Sequence, residues 1–143
     1  MLRRRIKWFV LKIYNYFPLP WAKILALKTF NIKIPYNTSV LDSFIDSDFI
    51  EIGNNTILGE GSIVMSSIVI GDLLLVKRVV LHDGSTIGAF SVIAPGTIVE
   101  ERAILGMGSF TNINQRLEKN SIYYGRPAKR WKKTDNSFIC NKK

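Results

Sequence analysis

Only one cysteine and one histidine occur in the 143 residues, the first 33 contain no acidic residue, and no apolar run reaches bilayer length. The lone Cys140 has no intrachain partner, which excludes a disulfide-stapled secreted fold and leaves a reducing, cytoplasmic setting as the expectation. A three-histidine zinc site fails on ligand count, so no metal is expected. A bilayer span needs about 20 apolar residues, and Lys12 and Asn15 interrupt the apolar stretch near the start. No small-residue cleavage site follows that stretch, so a signal peptide is not expected either.

The net charge of +9 is unevenly distributed: residues 1–33 sum to +8, residues 126–143 to +6 and residues 34–125 to −5. Cations confined to the two ends do not describe a nucleic-acid surface, and no nucleic-acid partner is expected. Three segments follow: a basic helical segment over 1–33, a repeat over 34–127 and a basic C-terminal tail over 128–143.

In the first segment Leu2, Ile6, Phe9, Val10, Ile13 and Phe17 recur at helical spacing, while Arg3, Arg4, Arg5, Lys7 and Lys12 lie off that stripe. Pro18 and Pro20 should end this helix, and Trp21 to Phe30 reads as a second. Such a pair can cap the open end of a repeat core or lie in a membrane interface, and one pair can do both. Peripheral contact of residues 1–30 with the inner face of the membrane is therefore one expectation.

The main signal is a period of six. Positions 34, 40, 46, 52, 58, 64 and 70 hold Ile, Val, Asp, Ile, Leu, Val and Ile; positions 81, 87, 93, 99, 105, 111 and 117 hold Leu, Ile, Ile, Val, Leu, Thr and Leu. Four residues after each anchor of the second set come Ser85, Ser91, Thr97, Ala103, Ser109, Gln115 and Ser121. A six-residue unit combines a short strand with a corner, its aliphatic anchor turned inward and glycine or asparagine beside it easing the turn. Three units close a triangular coil, and about five coils fit between Ile34 and Pro127. The fold class expected is all-β, a parallel β-helix with a short N-terminal helical cap.

Ile57, Ile63, Val69, Val80, Val92, Ile98, Ile104, Phe110 and Ile122 precede the anchors and should point outward. Rows of outward aliphatics call for cover by further copies of the chain. The registers slip between Ile70 and Leu81, so Gly71 to Val79 should hold a shortened coil or an excursion, with Asp72, Lys77, Arg78, Ser66 and Ser67 as its polar groups.

The stretch from Leu81 to Val99, with Gly106-Met-Gly-Ser109 and Gly125-Arg-Pro-Ala-Lys129, resembles the late coils of hexapeptide-repeat acyltransferases. The resemblance, over about residues 20–132, implies a left-handed β-helix, a homotrimer and acetyl-CoA held between subunits as co-substrate. It implies that Ala89 and the turn of Gly106, Gly108 and Ser109 meet the pantetheine arm, and that Arg126, Lys129 and Arg130 face the nucleotide phosphates. The function implied is transfer of an acyl group from acyl-CoA to the oxygen or nitrogen of a sugar or lipid-linked acceptor, a small molecule or a glycan. Such transfer uses a general base, which in this family is a histidine. None occurs in the matching stretch Val64 to Ile70, so His82 is the candidate and Asp83 a candidate partner for it. The alternative is a non-catalytic trimeric β-helix scaffold that has lost its base.

Overall fold

A computed structural model describes residues 20–29, 32–46 and 49–134, with the isolated helical positions 6, 9 and 13. Helix α1 (Pro20–Thr29) opens with proline at its first position, where the missing N–H costs nothing. Its Ile24 and Leu27 are buried and join Ile32, Ile34, Ile50 and Ile52 in one core, so the helix covers the first coil as expected of a cap.

Short strands follow in threes. The first face stacks β1 (Ser39–Val40), β4 (Ile57–Leu58), β9 (Thr86–Ile87), β12 (Ile104–Leu105) and β14 (Ser121–Tyr124); the second stacks β2 (Phe44–Ile45), β5 (Ile63–Val64) and β10 (Val92–Ile93). The third stacks β3 (Ile50–Ile52), β8 (Val79–Leu81), β11 (Ile98–Val99) and β13 (Arg116–Leu117). Every pairing within these faces is parallel, and partners such as Thr86, Ile104 and Ile122 lie one eighteen-residue coil apart. Alternation buries Leu81, Ile87, Ile93, Val99, Leu105 and Leu117 inside the triangle and leaves the residue before each anchor on the outside. Interior hydroxyls tie successive coils: Ser91 Oγ donates to the Gly106 carbonyl (2.8 Å), and Thr97 and Thr111 share a bond of 3.0 Å.

Two anchors differ from the sequence reading. Ile45, not Asp46, pairs with Val64 and is buried, because the coil between them carries nineteen residues. Ile70 is exposed and lies, with Val69, in an inserted hairpin of β6 (Ser67–Ile70) and β7 (Leu73–Val76). The excursion expected after Ile70 thus begins at Ser67, and it lengthens that coil to the separation seen between Val64 and Ile93. Three of the polar groups expected there are engaged: Ser67 Oγ donates to the Asp46 carboxylate, Lys77 Nζ to Asn114 Oδ1 (2.8 Å), and Arg78 approaches Glu51 (3.6 Å).

Beyond Pro127 the chain reverses. Strand β15 (Lys129–Lys133) pairs antiparallel with β14, and Ala128 N donates to the Phe110 carbonyl (2.7 Å).

Candidate functional site

The corner between the first and second faces stacks Gly59-Glu60-Gly61, Gly88-Ala89-Phe90, Gly106-Met107-Gly108 and Tyr124-Gly125-Arg126. The glycine after each anchor is required here by close approach, not by an unusual backbone angle. A Cβ on Gly59 would lie 2.6 Å from Ala89 N, and one on Gly88 would lie 2.6 Å from Met107 N. The left-handed residue comes two places later, as at Gly61 and Gly108 (φ 65° and 62°). This corrects the expectation that the glycine beside the anchor makes the turn.

Backbone bonds along the corner leave two amides without an acceptor. Gly88 N donates to Leu105 O and Gly108 N to Ala89 O, while the amides of Ala89 and Met107 find no acceptor among the described residues. Ser109 is buried, and its Oγ accepts from Gly125 N (3.0 Å), so its side chain holds the turn rather than lining the groove. Arg126 Nε donates to the Gly108 carbonyl (2.6 Å), which lays the guanidinium along the same corner. Lys129, paired with Tyr124, is exposed beside it. Arg130 is tied to Glu118 (2.8 Å), so its charge is partly met within the chain. The corner therefore offers stacked amide donors with two cations at its C-terminal end, a set suited to an extended ligand carrying amides and phosphates.

His82 lies at a different corner, between the third and first faces. Its amide donates to Val99 O (2.8 Å), and its carbonyl accepts from Thr56 Oγ1 (3.4 Å). Asp83 Oδ1 accepts from the amide of Asn54 (2.7 Å) and so ties this coil to the one before. Next along the corner, a hydrogen bond from Lys119 is the main reason the Glu101 carboxyl lies below its usual value, and His82 lowers it slightly. Within one chain the structure brings Ala89, Gly106, Gly108, Ser109, Arg126 and Lys129 together and leaves His82 apart from them.

No family model matches this sequence. Among curated proteins it is similar to a 2,3,4,5-tetrahydropyridine-2,6-dicarboxylate N-succinyltransferase of Wolbachia sp. subsp. Brugia malayi, with 32% identity over 80 residues. That match takes in 52% of this chain but only 29% of the relative's length. A hexapeptide-repeat acetyltransferase of Vibrio cholerae, solved with acetyl coenzyme A, superposes with a TM-score of 0.75 at 14% identity, covering 94% of this chain and 88% of that one. A maltose O-acetyltransferase from Clostridium difficile 630 gives 0.68 at 19% identity, covering 94% and 87%. The chain has the fold of the hexapeptide-repeat acetyltransferases. Its β-helix is accordingly left-handed, with α1 as the N-terminal cap.

Sequence reasoning missed Phe90, a residue of this corner. It is 69% exposed and holds φ 56°, a conformation that glycine and asparagine adopt more easily. Its signal was positional, the third residue after anchor Ile87, where neighbouring coils carry glycine or asparagine.

Proposed function

We propose that the protein is an acyl-CoA-dependent acyltransferase, with acetyl-CoA as co-substrate and a sugar or lipid-linked hydroxyl or amine as acceptor. The observation that carries the reading is the corner itself, where the amides of Ala89 and Met107 stack in line with Arg126 and Lys129. Pantetheine is an extended chain with two amide groups, and its phosphates match two cations at the end of the row. The acceptor oxygen or nitrogen attacks the thioester carbonyl, the base takes its proton, and the thiolate leaves.

His82 serves as that base only if a second copy brings its third-to-first corner against this groove, because one chain keeps the two apart. A homotrimer in which the second face of one copy packs beside the third-to-first corner of the next supplies such a contact, and that face is apolar. Phe44, Ile63, Val92 and Phe110 form an unbroken outward row there. The rows on the other faces include Glu51, Arg116, Ser39 and Thr86.

Membrane-surface work fits the N-terminus. Ile6, Phe9 and Ile13 are helical and exposed, on a segment rich in arginine and lysine. No helix among the described residues is long and apolar enough to cross a membrane. Cytoplasmic residence at the inner face of the membrane accords with the single cysteine.

The scaffold reading retains one observation in its favour, the distance of His82 from the groove within its own chain. Calorimetric titration with acetyl-CoA separates the two. Saturable binding near one site per chain, weakened by Lys129→Ala and not by His82→Ala, is expected of the transferase. Absence of binding at millimolar ligand would leave the scaffold.

A further inference from the structure

At nine corners the third residue after the inward anchor is left-handed: Asn55, Gly61, Gly84, Phe90, Gly96, Arg102, Gly108, Asn114 and Asn120. Seven of these nine are glycine or asparagine, which bear that conformation at least cost. Arg102 and Phe90 are the exceptions. For a bulky aromatic such an angle is strained, and strain persists where the surrounding structure or a function holds it.

Burial does not compensate Phe90, since the side chain is 69% exposed. The ring is nonetheless placed. It lies against Gly61 of the preceding coil so closely that a Cβ there would come within 2.6 Å of two ring carbons. Any other residue at position 61 would displace it.

The position of the ring along the corner gives it a role. Arg126 and Lys129 mark the phosphate end, and the amides of Met107 and then Ala89 follow toward the N-terminal coils. From the coil of Arg126 to that of Gly61 is three coil steps, about 14 Å at about 4.8 Å per step. A ligand laid along the groove from its phosphates runs through the two amides and reaches the Phe90 ring with its acyl end. Past Ala89 the next coil presents Glu60 and Gly61, and the Phe90 ring lies over Gly61.

We propose that Phe90 closes the acyl end of the groove and restricts the site to short acyl groups. This rests on the acyl-CoA reading above. With the ring removed, the surface it covers at Gly61 accepts further methylenes, each expected to tighten binding roughly fourfold when buried.

The test is calorimetric titration of the full chain with acetyl-, butyryl- and hexanoyl-CoA, comparing wild type with Phe90→Gly and Phe90→Asn. Both replacements suit a left-handed residue, so the turn is kept. Wild type should bind hexanoyl-CoA more weakly than acetyl-CoA. In both variants that order should reverse, with melting temperatures equal to or above wild type. An unchanged chain-length profile in the variants would overturn the proposal while leaving the acyl-CoA reading intact. So would melting well below wild type, which would mark Phe90 as a structural residue. Failure of wild type to bind any of the three thioesters would remove the acyl-CoA reading and this proposal together.

Discussion

His82 and Ala89 occupy successive corners of one coil, separated by the strand Thr86–Ile87. A rigid β-helix cannot fold one corner onto the next, so a site using both is assembled between copies.

That arrangement predicts subunit complementation. His82→Ala should lower kcat about 100-fold or more, as loss of a general base does, and Lys129→Ala should chiefly raise the KM for acyl-CoA. At acyl-CoA well below the KM of Lys129→Ala, where both variants are impaired, mixing them and allowing exchange should restore a substantial part of the activity. No recovery after verified exchange would place base and groove on the same chain.

The outward row of the second face should be the contact surface. Val92→Asp or Phe110→Asp is expected to convert a trimer into monomers in sedimentation velocity. Ile98→Asp and Ile104→Asp, on faces with mixed outward rows, should weaken assembly less. Equal sedimentation of all four variants would exclude the second face.

Backbone demands at the corners should be readable in thermal melts. Gly88→Ala puts a Cβ 2.6 Å from Met107 N and is expected to destabilise by about 1–3 kcal/mol through overpacking. Arg102→Gly relieves a left-handed non-glycine residue (φ 55°) and should stabilise by roughly 1 kcal/mol. The opposite signs would contradict the described corner geometry.

Acid should loosen the third face. The hydrogen bond from Lys33 is the largest effect holding the Glu51 carboxyl below its usual value near 4.5, and the charge of Arg78 adds to it. Because the folded value is depressed, the ion pair stabilises fully above the unfolded value and is lost as pH falls through the folded one. Melting temperature should therefore decline below about pH 4.5, and Glu51→Gln should flatten that decline. The effect will be small, because Lys33 is largely exposed. A slope identical in Glu51→Gln would assign the acid sensitivity elsewhere.

Much of this architecture was legible because a six-residue period survives without interruption from Leu81 to Leu117, and each of those anchors is buried. The earlier coils were harder. One added residue moves the anchor from position 46 to Ile45, and a comb of fixed period cannot register that shift. Ile70 passed for an anchor because a hairpin of aliphatics has the composition of the core, although Gly71-Asp72 between two such runs is a turn signature. The cations of the groove were found through their glycine-proline context. Adjacency makes the Asp83 carboxylate no more than a candidate partner for His82, and a neighbouring coil, distant in sequence, engages it through Asn54. Phe90 escaped notice because nothing in its chemistry announces a left-handed backbone.

The reversal of β15 against β14 has a consequence for the particle as a whole. A parallel stack of coils has no inherent last rung, and each exposed edge is a template on which another molecule can continue the ladder. Here the final rung of the first face runs backwards and carries Lys129, Arg130, Lys132 and Lys133. An incoming coil meets the wrong polarity and a row of like charges, so end-to-end growth into filaments is blocked at this terminus.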